Sequence, residues 1–136
     1  MCDIFHLLEA SPEICHLVNA MNQIKDDIAT LYIEHTYLLT ENIRINMENN
    51  PFEHSKTCQF IDNSYRIYLV ISHIHEKTHL YADYSVIFAD KLKYSTYYAN
   101  AIWSAINARQ LAEEVNTMYI ENEQMKEQID LLESSL

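Results

Sequence analysis

Glycine is absent from all 136 residues. Tight hairpins, phosphate-cradling loops and dinucleotide turns lean on glycine, because a residue without Cβ reaches positive φ at little cost. P-loop and Rossmann fingerprints are therefore excluded outright, and a fold with many tight turns is disfavoured. Proline occurs twice, at Pro12 and Pro51. The three cysteines, Cys2, Cys15 and Cys58, are odd in number, scattered, and never in C-x-x-C spacing. That pattern points to reduced thiols in an intracellular or intravirion setting; a zinc site using all three is the alternative.

Positive charge is also scarce: nine Lys and Arg stand against twenty Asp and Glu, for a net charge of -11. Such a surplus disfavours nucleic-acid backbones and anionic lipid as partners and permits a basic protein surface. No run is long and apolar enough to span a bilayer. The start, "MCDIFHLLEAS", carries an acid and no Lys or Arg, which is a poor signal peptide. A cytoplasmic or otherwise intracellular protein without membrane contact is expected. Phe5, Leu7 and Leu8 are candidates for packing on the body of the fold.

What the chain does have is helical rhythm. Its length fits one domain, residues 1–136, and 49% apolar residues are enough for a core. In "ASPEI", Ser11 is placed to cap a helix, Pro12 occupies the first helical position, and Glu13 meets the exposed N–H groups of the first turn. Pro51 pushes Asn50 out of the helical region and ends the segment. Between them Ile14, Leu17, Met21, Ile24, Ile28, Leu31, His35, Leu38, Asn42 and Ile45 alternate steps of three and four. This is a seam of more than four heptads, widened by Val18, Tyr32 and Leu39 into a bundle face.

The second segment shows two apolar faces, one through Ile67, Ile71, Ile74, Tyr81, Phe88 and Leu92, the other through Ile61, Tyr65, Tyr68, Ala82, Val86 and Ala89. Two such faces mark the most enclosed helix of a bundle. The β-branched run "RIYLVISHI" offers a strand as the alternative, but it lacks strict alternation and turn signals. A break is expected within "DKLKYSTYYAN", with Asp90, Ser95 or Thr96 capping the next helix. The expected fold class is all-α: a bundle of three long, largely antiparallel helices over about 12–49, 57–92 and 96–136, with coiled-coil character in the first and last.

Residues 111–136 form a seam of their own. Val115, Asn122 and Ile129 fall at a; Leu111, Met118, Met125 and Leu132 fall at d. β-branched residues at a, Leu or Met at d and one Asn at a are what two parallel strands prefer. Leu111, Val115, Met118, Asn122, Met125, Ile129 and Leu132 are accordingly the candidate self-association interface. The alternative is the last helix of an intramolecular bundle.

Within "HIHEKTH", His75, Glu76 and His79 match H-E-x-x-H, which resembles the zincin peptidase motif over five residues. On a helix the two histidines lie on one side, Glu76 sits where it would take a proton from metal-bound water, and Asp83 one turn on is a candidate third ligand. Lys77 and Thr78 depart from the family's core-packed and small residues, and no sheet edge is on offer to align a substrate. A di-iron bundle site needs several Glu-x-x-His pairs; Glu76–His79 is one such pair, with Glu34, His35 and Glu41 the nearby options on the first helix. The sequence thus supports a non-catalytic helical interaction or scaffold protein, homodimeric and without cofactor, of the kind found as a small adaptor or a viral or phage accessory factor. Two alternatives remain. One is an acidic inhibitor or chaperone of a basic or nucleic-acid-binding protein, since 111–136 holds seven acids and one lysine. The other is a metal-dependent hydrolase centred on residues 75–79.

Overall fold

The computed structural model describes residues 11–48 and 54–135. The expectations for Cys2, for Phe5, Leu7 and Leu8, and for Pro51 as a helix stop lie outside the described residues. The fold is all-α: α1 (Pro12–Met47), α2 (His54–Lys91) and α3 (Tyr98–Ser134). They run 36, 38 and 37 residues, about 55 Å each at 1.5 Å per residue. Consecutive helices pack antiparallel. Among the described residues no helix is long and apolar enough to cross a membrane.

Local chemistry sets the helix ends. At α1 the Ser11 hydroxyl lies 3.4 Å from the Ile14 N–H and the Ser11 carbonyl accepts from Cys15 at 3.1 Å. The break falls at 92–97, inside the expected span. There the Ser95 N–H donates to the Leu92 carbonyl at 2.8 Å and the Ser95 hydroxyl accepts from the Tyr97 N–H at 3.1 Å. Ser95 thus acts as the cap, and α3 begins at Tyr98 rather than two residues earlier. Among the described residues none takes positive φ, so a corner made by 3₁₀-like turns suits a chain without glycine. The segment 65–74, a strand in the alternative reading, is helical throughout.

α2 buries a strip that merges parts of both expected faces, Ile61, Ser64, Ile67, Ile71, Ile74, Thr78, Ala82, Ser85 and Ala89, and Leu92 just past its end is buried too. Val86, expected on a buried face, is exposed. Ser64 and Ser85 enter the core by turning their hydroxyls back to the Phe60 and Tyr81 carbonyls, at 2.7 and 2.8 Å. A buried hydroxyl satisfied within its own helix presents little more than a small apolar surface to its neighbours.

Contacts group the chain into two compact units, one of residues up to Ile28 with Glu76–Glu114, the other of Ala29–His75 with Val115–Leu136. In the first, Ile14, Ala89, Leu92 and Ala101 form one cluster, joined by Val18, Phe88 and Ile102, and Ala82, Ala108 and Ala112 form another with Tyr81. In the second, Leu38, Ile67, Val70, Ile71, Ile74 and Val115 pack together with Leu31, Tyr32 and Met118 against them.

Candidate interaction surface

The second unit contains polar members of both seams. Asn42 of the first-helix seam and Asn122, at an a position of the C-terminal seam, are buried. The Asn42 amide donates to the Ser64 hydroxyl at 3.0 Å, and its Oδ1 is buried without a partner. The Asn122 amide donates to the Tyr68 carbonyl at 3.1 Å. Both amides are therefore spoken for within the chain, and the orphaned Oδ1 carries a desolvation cost of about 1–3 kcal/mol. Above them lies a groove of about 280 Å³, with Asn42 and Asn122 among its polar lining, Leu39, Ile43 and Met125 among its apolar lining, and His35 beside them. Burial holds the His35 imidazole below its ordinary value of 6.5, so it is neutral at pH 7.

The C-terminal seam divides along its length. Val115, Asn122 and Ile129, its a positions, are buried in this unit. Met125 and Leu132, at d, are exposed, and Met118 packs partly against the core. Leu111, the remaining d residue, is exposed in the first unit. The polar side of α3 is held by phenols. Tyr65 donates toward Asp130 and Glu133, and Tyr68 donates to Glu123 at 2.8 Å. Hydrogen bonding to these carboxylates raises the Tyr65 and Tyr68 hydroxyls above their ordinary value of 10, while the nearby charge of Glu123 does the same for Tyr119.

Of the H-E-x-x-H residues, His75 is engaged elsewhere. His75 hydrogen-bonds the Asn116 side chain at 2.7 Å and stacks on Tyr119, ring centroids 4.2 Å apart. Lys77 pairs with Asp27 at 3.4 Å, and Thr78 is fully buried. Among the described residues no three His, Cys, Asp or Glu side chains converge in a way that would hold a metal ion; Asp83 does not complete such a group. Cys15 and Cys58 are half-buried thiols.

One surface feature went unnoticed in the sequence. The outward side of α1 in the second unit carries Ile33, Tyr37, Ile43 and Met47, exposed by 72, 63, 59 and 83%. Its signal was a second three-and-four rhythm, Ile33, Thr36, Thr40, Ile43 and Met47, lying opposite the core seam in the same segment. In the first unit, a hollow of about 280 Å³ opens among Ile14, Val18, Met21, Tyr81 and Phe88. The described residues define an acidic all-α bundle of three long helices with bare apolar faces. No known family model, curated protein or solved structure matches the chain.

Proposed function

We propose that this chain is a non-catalytic helical interaction protein that self-associates. One observation carries the reading: large apolar side chains stand well exposed in rows on an acidic protein, rather than singly. Scattered exposed apolar residues are ordinary, whereas contiguous ones mark contact surfaces. Coiled-coil pairing of residues 111–136 between copies is the finer form of this reading. With Val115, Asn122 and Ile129 inside the second unit, what that seam presents outward is its d edge, Leu111, Met125 and Leu132. Sedimentation over a micromolar range tests the reading, with concentration-dependent dimerisation the expected result. A monomer at every concentration would remove it.

A second reading is favoured by the acid-rich second half of α3, where Glu121, Glu127, Asp130 and Glu133 are exposed. In that reading the chain docks a basic protein. Such binding weakens steeply with salt, while apolar docking does not. A salt titration of complex formation separates the two.

A further inference from the structure

We propose that the outward face of α1 between Ile33 and Met47 is where a second copy of this chain docks, antiparallel and centred on Thr40. This rests on the self-association reading and assigns it a surface centred on α1, which meets the C-terminal seam at the groove that Leu39, Ile43 and Met125 share. The face is more apolar than its sequence suggests. Thr36 turns its hydroxyl to the Tyr32 carbonyl at 3.0 Å, and Thr40 turns its own to the Thr36 carbonyl at 2.8 Å. With the hydroxyls bonded back along the helix, the threonines contribute their methyl groups to the row begun by Ile33 and ended by Met47. Successive steps of three, four, three and four keep Ile33, Thr36, Thr40, Ile43 and Met47 in line over about four turns, the spacing by which one helix meshes with another.

Charge argues for a twin. Two copies of a protein at -11 repel each other wherever carboxylates meet. From residue 29 to 47 the acids are Glu34 and Glu41. Each is already engaged, Glu34 with Arg66 at 3.3 Å and Glu41 with Arg44 at 2.9 Å, and Arg44 also holds Glu48 at 3.0 Å. The row itself carries no carboxylate. A basic partner would gain nothing from such a strip, while a second acidic copy can approach it without like-charge contact. Parallel pairing would set Arg44 beside Arg44 and Glu41 beside Glu41; antiparallel pairing sets Ile33 against Met47 and Thr36 against Ile43. The area is of the right order: with Leu39 at the edge, the exposed side chains offer at most roughly 700 Å² per copy, against the ~800 Å² per partner of a standard interface. Such a contact is isologous, one patch meeting itself across a two-fold axis.

The test is analytical ultracentrifugation of the full chain at 1–100 µM, a range of roughly two decades chosen to bracket a micromolar dimer. Three proteins are compared: the unaltered chain, the Ile33→Glu/Ile43→Glu variant, and the Leu111→Glu/Leu132→Glu variant, with circular dichroism confirming helix content. The expected result is a dimer that loosens by about a hundredfold or more in the α1 variant, because carboxylates then face each other across the contact, and is retained in the tail variant. A dimer kept by the α1 variant and lost by the tail variant would overturn this inference while leaving self-association standing. An unaltered chain that is monomeric throughout would overturn both. Cross-linking gives a second readout without any charge change. With Cys2, Cys15 and Cys58 replaced by serine, Thr40→Cys should be joined between copies by a short bis-maleimide, whereas Glu76→Cys on α2 should not. Failure of Thr40→Cys to cross-link in a dimeric sample would overturn the assignment.

Discussion

The two units of this chain solve the same packing problem with different side chains. In the first, α3 turns Ala101, Ala105, Ala108 and Ala112 inward, against an α2 that supplies Ala82, Ser85 and Ala89. In the second, the buried set is Leu38, Ile45, Ile61, Ile67, Val70, Ile71, Ile74, Val115 and Ile129, interrupted by Asn42, Ser64 and Asn122. Short side chains favour close approach of helix axes and leave no room for additions; long ones fill wider gaps and leave cavities when trimmed. The alanine contact between α2 and α3 in the first unit is therefore vulnerable to insertion and the second unit to deletion, and among the described residues the buried amides belong to the second.

Four substitutions break or sharpen that contrast, in falling order of effect. Ile74 is 0% exposed, and Ile74→Ala is expected to destabilise the protein by about 2–5 kcal/mol through lost burial and a residual cavity. Urea denaturation measures it, and a cost below 1 kcal/mol would mean that the second unit collapses around the gap. Ala112→Leu, in the first unit, should cost about 1–3 kcal/mol by overpacking; the emission of Trp103, the one tryptophan, follows that unit directly. If Ala112→Leu is neutral, the alanine packing is not tight. Asn42→Leu removes the unpartnered Oδ1 and leaves the Ser64 hydroxyl still bonded to the Phe60 carbonyl. A gain of about 1 kcal/mol in denaturation midpoint terms is expected, and a loss would show that Oδ1 has a partner in solution.

The smallest effect is a pH slope at His35. Burial lowers its folded-state value below the ordinary 6.5. The unfolded chain therefore takes up a proton at a pH where the folded chain does not. Stability falls as pH drops through the ordinary imidazole value and stops falling below the lowered one. His35→Leu should flatten the difference in thermal midpoint between pH 7 and pH 5 relative to the unaltered chain, since the carboxylate contributions common to both proteins cancel. Equal slopes would place His35 in water.

Much of the architecture was legible because helices are specified locally. Ser11, Pro12 and Glu13 mark a start by satisfying or removing orphaned N–H groups. Ser95 was one of three candidate caps, and only geometry could select it, since each offers the same hydroxyl or carboxylate chemistry. Ser64, Thr78 and Ser85 were passed over as core residues because their types read as polar, although they continue the buried three-and-four spacing. The same habit hid the outer row of α1, where Thr36 and Thr40 interrupt an apolar pattern in composition but not in surface. The H-E-x-x-H match was legible as spacing, yet the stacking of His75 on Tyr119 and its bond to Asn116 depend on residues more than forty positions away.

The sequence by itself determined the three long helices of nearly equal length among the described residues, the start of α1 at Pro12, and the turn near residue 95 without glycine. Those follow from interactions within a few residues of each other. Tertiary structure alone decided which side of each apolar rhythm faces inward, which groups the buried amides bond, and that Val115, Asn122 and Ile129 are covered by the chain's own α1 and α2. A three-and-four repeat is equally content against any complementary helix, so only the packing of the whole set assigns its neighbour.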